Sequence, residues 1–155
     1  MAEVIGTASN STASFVTKEY PVASGVTVTD GDLVYFASGR VTNATIAGAT
    51  VLGVVQGGAS NDPSIVANSN GSSVAAVGNA GGTVTVLVIV DPSVKVLMSA
   101  NAAATVGARY NLSGATGAQT VNVSGGAGTQ VEVIKVRSAS LVEVILQKHE
   151  YKLSA

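Results

Sequence analysis

TVTVLVIVDPSVKVLM, residues 83–98, reads as β-strand. Val84, Val86, Val88 and Val90 alternate with Thr83, Thr85, Leu87 and Ile89, a period of two built mostly from β-branched residues. The start of the stretch is polar on one face and its end is apolar on both. That pattern predicts a strand running from an edge of the fold into its middle. Asp91-Pro92 stops it, because Pro92 has no N–H for a ladder and biases Asp91 away from helix. Val94, Val96 and Met98 resume the alternation, so the chain turns a corner while keeping one face on a core. No residue here carries chemistry; the stretch is scaffold.

On the C-terminal side, SANAAAT (99–105) predicts one short helical turn. Thr105 to Leu112 brings a turn and a strand, Gln119 to Val123 another strand, and GGAG at 125–128 a turn. QVEVIKV (130–136) and LVEVILQ (141–147) then predict a hairpin with its loop at 137–140. Alternation puts Val131, Val133 and Lys135 on one face and Glu132, Ile134 and Val136 on the other. In the partner strand Val142, Val144 and Leu146 oppose Leu141, Glu143, Ile145 and Gln147.

On the N-terminal side, residues 1–14 are small and polar without a period, which predicts a flexible arm ahead of a single β domain over 15–155. Short strands are predicted at 24–29, 33–36, 40–41 and 49–56, with turns at Thr29-Asp30-Gly31-Asp32 and Ala37-Ser38-Gly39. Gly53 inside an apolar strand marks a bulge or a close backbone approach. Residues 57–82 form a long Gly/Ser/Asn-rich region with short strands at 65–66 and 74–77. Thr29-x-Gly31 and Thr105-x-Gly107 each open a strand and are each followed by a second apolar strand, at 49–56 and 129–136. This echo suggests a duplicated small barrel unit. The fold class is therefore all-β, a compact barrel or sandwich of the β-tulip or jelly-roll kind.

Composition bounds the function. Of the 155 residues only 11% are charged, against about 25% in ordinary globular chains. Net charge is −1 and aromatic content 4%, which argues against nucleic acid and anionic membrane as partners. Without cysteine there is neither a disulfide framework nor a thiolate metal site. Residues 1–10 contain Glu3 and no basic residue, unlike a secretory signal. The longest apolar run, Val86 to Val90, is too short to span a bilayer. A soluble chain with so few charges is expected to associate.

Candidate chemistry is sparse. His149 is the one histidine, set between Lys148 and Glu150, with no nucleophile elbow to serve. Asp30-Gly31-Asp32 lacks the further oxygen ligands of a calcium loop and reads as a turn. Glu132 and Glu143 could form a carboxylate pair, but Lys135, Arg137 and Lys148 nearby suggest a solvated charge ladder. The Asn-x-Ser/Thr triplets at Asn10, Asn43, Asn70, Asn111 and Asn122 follow from a composition rich in these residues. No enzyme, metal or cofactor is expected.

The segments 25–41, 49–59, 85–121 and 130–147 together resemble the capsid decoration (cement) proteins of tailed bacteriophages. The resemblance implies a compact β fold, commonly a homotrimer, on the outer capsid surface of a virion assembled in the host cytoplasm. It implies the major capsid protein as partner, with subunits bridged at local threefold positions. The N-terminal arm would contact the shell, which here points to Ala2, Glu3, Val4, Ile5 and Thr7. A second function class, a carbohydrate-binding or adhesin-like β-sandwich, would need aromatic platforms; the chain has no Trp and four scattered Tyr.

Overall fold

The computed structural model describes residues 3–7, 16–45, 48–55 and 75–147. Thirteen strands form in chain order: β1 (Glu3–Thr7), β2 (Thr17–Pro21), β3 (Thr27–Thr29), β4 (Leu33–Ala37), β5 (Arg40–Asn43), β6 (Val51–Val55), β7 (Ala75–Val77), β8 (Thr85–Ile89), β9 (Val94–Ala100), β10 (Arg109–Ser113), β11 (Thr120–Asn122), β12 (Val131–Ser138) and β13 (Leu141–Leu146). The fold is all-β, and no helix occurs among the described residues. The corner at Asp91-Pro92 separates β8 from β9 and passes the chain from one sheet to the other.

The second half closes into a five-stranded barrel. β10 pairs with β11 and β12, β12 with β13, β13 with β9, and β9 returns in parallel to β11. The first half repeats this plan. β4 pairs with β5 and β6, β6 with β8 and β8 with β2, and Val22, just past β2, bridges in parallel to Val41 of β5. Ring closure uses matching bonds. Ala23 N–H donates to the Val41 carbonyl as Asn101 N–H does to Val121, and Val22 N–H donates to Val84 as Ala100 N–H does to Ser140.

Register matches as well. Val34 faces Gly53 where Tyr110 faces Val131, and Val55 faces Val88 where Val133 faces Val144. The echo in the sequence is the shared entry turn. Asp32 N–H donates to the Thr29 carbonyl and Ala108 N–H to that of Thr105. Gly31 and Gly107 sit third in these turns at φ 80° and 85°, the left-handed region a type II turn requires there. The chain is a duplicated barrel.

The halves share their core. One cluster fills the second barrel with Val94, Val96, Met98, Leu112, Val121, Val131, Val133, Val142, Val144 and Leu146. It also takes in Leu33, Ala44, Val51, Val54 and Ile89 from the first half. The other cluster, including Val22, Val28, Val34, Val41 and Val88, fills the first barrel. β6 lies between them and is buried at all five positions, hence its unbroken apolar sequence. Gly53 answers to close approach: a Cβ there would overlap the Ile89 carbonyl.

Several expectations need correcting. SANAAAT forms no helical turn; Ser99 and Ala100 end β9, and the N–H groups of Ala100 and Asn101 close the barrel. The 130–147 hairpin is tighter than read, with only Ala139-Ser140 between β12 and β13. A register shift between Val133 and Lys135 breaks the alternation, so Lys135 stands opposite Glu143 instead of sharing the core face of Val133. Residues 3–7 of the arm form a strand, antiparallel to β9 beside β11. The strand expected at 65–66 lies outside the described residues, while that at 74–77 appears as β7, paired with β3.

Candidate functional site

β1 extends the second barrel at one edge. Glu3 pairs with Leu97 and Val4 with Val96; after an irregularity, Gly6 pairs with Lys95 and Thr7 with Val94. The backbone of β9 explains the seat. Its alternate residues Val96 and Met98 pair with Val144 and Val142 of β13, and Ala100 N–H donates to Ser140 just before β13, leaving Lys95 and Leu97 turned the other way. Above them Ser99 and Asn101 meet β11; below them the edge would be open, and β1 fills it. Of the arm residues expected at a partner surface, Glu3, Val4, Ile5 and Thr7 are thus brought onto the sheet. Ala2 and the β1 side chains lie outside the described set.

Next to this seat is the densest charge in the described structure. Glu143 is buried, and its carboxylate lies 2.5 Å from Arg137 Nε, 3.7 Å from Lys95 Nζ and 4.0 Å from Lys135 Nζ. It is therefore not part of a solvated ladder: β9 and β12 flank β13 and bring three cations over one acid. Glu132 has other partners, Arg109 Nε at 3.2 Å and Gln147 Nε2 at 2.6 Å, and stands opposite Ile145. The two glutamates hold separate cationic partners and form no shared acid–base pair.

Three further buried polar side chains join the halves, and sequence reading missed them. Gln119 Oε1 accepts the Leu33 N–H at 2.6 Å while its Nε2 donates to the Leu33 carbonyl at 2.9 Å. Gln130 Oε1 accepts the Leu112 N–H at 2.9 Å, and its Nε2 donates to the carbonyls of Ala44 and Ala49 at 2.9 and 3.0 Å. Asp32 accepts the N–H of Thr29 at 2.9 Å and of Gly117 at 2.8 Å, and also the Thr116 hydroxyl. The Asp-Gly turn thus uses its second carboxylate as a brace between barrels. The one available signal was a Gln beginning each of two short apolar runs, which is too common to single out.

No group of three or more His, Cys, Asp or Glu residues suited to a metal occurs among the described residues. His149 lies outside them. The most polar elements of the structure brace strands, and the exposed apolar side chains Val16, Phe36, Val77, Val106 and Val136 are spread over both halves. No protein family, curated protein or solved structure matches the chain.

Proposed function

We propose that this chain is a structural virion protein that binds the outside of an icosahedral phage capsid and stabilises it by bridging major capsid protein subunits. It works as a homotrimer, is made in the host cytoplasm, and has no catalytic role. The observation that carries the reading is β1: an N-terminal strand seated at a sheet edge has, among the described residues, no strand on its other side, where main-chain bonds can grip an extended segment of a shell subunit. Ala2, Glu3, Val4, Ile5 and Thr7 are the contact residues on this reading. The chain's low charge and its resemblance to decoration proteins support it further. Binding confined to the assembled shell raises the shell's resistance to heat by linkage.

The test mixes the purified protein with undecorated heads assembled from a major capsid protein encoded beside this chain's gene. Sedimentation with the heads and a higher head-disruption temperature are expected. Light scattering should give a trimer. Deleting residues 2–14 should weaken binding; full binding without them removes the arm from the mechanism, and no binding by the intact chain removes the reading.

A further inference from the structure

The outward face of the second barrel carries a charge imbalance. Val96, Val142 and Val144 point into the barrel and are buried, so alternation turns Lys95 and Glu143 outward. The register shift after Val133 brings Lys135 opposite Glu143, and Arg137 follows near the end of β12. Three of the chain's eight Lys and Arg residues therefore meet on one patch. Glu143 is the one carboxylate paired with them among the described residues. Three positive charges against one negative leave an excess of two, in a chain whose net charge is −1. Counting Glu3, which β1 sets opposite Leu97, still leaves cations in excess. Arg109 on the same barrel differs: its Nε lies 3.2 Å from Glu132, a balanced pair.

Most of the hydrogen-bond donors of the patch are unspent. Arg137 Nε donates to Glu143 at 2.5 Å, while Lys95 Nζ and Lys135 Nζ stand at 3.7 and 4.0 Å, too far for a hydrogen bond. Both ammoniums and the two Nη groups of Arg137 have no acceptor among the described residues. The side chains of Lys135 and Arg137 are 62% and 47% exposed, whereas that of Glu143 is 4% exposed. The buried carboxylate is thus an anchor. It gathers cations that repel one another and leaves their outer donors free. Offsetting one buried acid calls for one well-placed cation, and further exposed ones add little stability.

We infer that this patch is a docking site for an extended segment of the shell subunit that carries two carboxylates. The inference rests on the capsid reading above. An excess of two positive charges is what two acidic side chains neutralise, and Arg137 already seats one carboxylate through its Nε. Lys95 pairs in register with Gly6 of β1, so the patch lies on the strand that seats the arm. Two copies of this chain cannot meet through the patch, because that would set like charges face to face.

Lys135 offers the test with least risk to the fold, being the most exposed of the three cations and making no hydrogen bond to Glu143. Lys135→Gln should melt as the parent does. Its binding to heads empty of nucleic acid should weaken about threefold to tenfold, and that of Lys135→Glu by more than about tenfold, with a flatter dependence on salt. Lys135→Arg should bind as the parent does. Arg109→Gln removes the same charge from the balanced pair and should bind within about twofold of the parent. Empty heads offer no phosphate, so the remaining acceptors are carboxylates of the shell. On heads whose surface carboxylates are amidated with glycinamide, the difference between parent and Lys135→Glu should vanish.

If the parent binds heads and Lys135→Glu binds equally well, or if amidation leaves their difference unchanged, the patch is refuted and the capsid reading stands. If Arg109→Gln weakens binding as much as Lys135→Gln, overall charge is responsible and the patch is likewise refuted. If the parent binds no heads, the capsid reading falls and this assignment of the patch falls with it.

Discussion

Replacing Gln130 by Met keeps the length and bulk of the side chain, removes both amide donors and leaves only a weakly accepting thioether. Gln130 is fully buried and reaches from the start of β12 to β10 and to the segment after β5. The substitution strands the Leu112 N–H and two carbonyls, those of Ala44 and Ala49. A buried polar group left unpaired costs about 1–3 kcal/mol. A carbonyl with a second lone pair is less demanding than an orphaned N–H, so the sum should fall at about 3–6 kcal/mol. For a domain of this length that corresponds to a fall in Tm of roughly 6–24 °C. Urea melts followed by circular dichroism, with calorimetry on the same samples, give both quantities. A single transition should persist, because both halves contribute to the same core cluster. A loss below about 1 kcal/mol would refute the brace, being no more than an ordinary surface substitution or a conservative apolar swap causes.

Three other substitutions probe separate parts of the fold. Val133→Asp and Val144→Asp each place a carboxylate where the parent side chain is fully buried and should lower stability by several kcal/mol in thermal melts, whereas Val→Ile at either site should cost at most about 1–3 kcal/mol. Glu143→Gln keeps the shape and releases Arg137 and Lys135, which are about half exposed and can turn to water, and Lys95, which is more covered, so a loss of about 1–3 kcal/mol by urea titration is expected. Gly53→Ala drives a methyl into the Ile89 carbonyl and should cost about 1–3 kcal/mol or more, read as a shift in the urea midpoint.

Much of the architecture was legible because a sheet writes its period into the sequence. Alternation located β8, β9, β12 and β13, and Asp91-Pro92 marked the corner between barrels. The Thr-x-Gly pair betrayed the duplication, since a type II turn leaves little freedom at its third residue. The rest of the repeat left no such mark. Equivalent positions keep the register but not the residue, so Tyr20 stands for Met98, Phe36 for Leu112 and even Lys18 for Val96 without any visible similarity. The face of Lys135 was misread because the register shift after Val133 inverts the alternation, and such a shift has no residue signature in VIKV. Burial of Glu143 was invisible for a different reason: Lys95 reaches it from β9, far away in the chain. Of the candidate contact residues, sequence placed the arm but could not say that β9 would offer it an edge.

The two barrels are alike in plan and unequal in finish, and energetics suggest why both are kept. Leu33, Val51, Val54 and Ile89 of the first half are buried in the core of the second. Burying side chains of this size is worth about 1.5–3 kcal/mol each, or about 6–12 kcal/mol together. That is comparable with the whole stability of a typical domain, so neither barrel could give up the other and remain folded. Within that constraint the second barrel is the closed one: its ends are sealed, a strand lies along its open edge, and β12 turns into β13 through two residues. The first barrel departs from the plan at the corresponding points. β6 and β8 are separated by 29 residues of sequence, β7 among them, where β12 and β13 are separated by two, and among the described residues no strand lies along β2 as β1 lies along β9. A duplicated unit whose departures from its own pattern gather in one half has divided its work. One copy is sealed around its own core, and the other, whose Leu33, Val51, Val54 and Ile89 are buried in that core, carries the longer connection between its third and fourth equivalent strands.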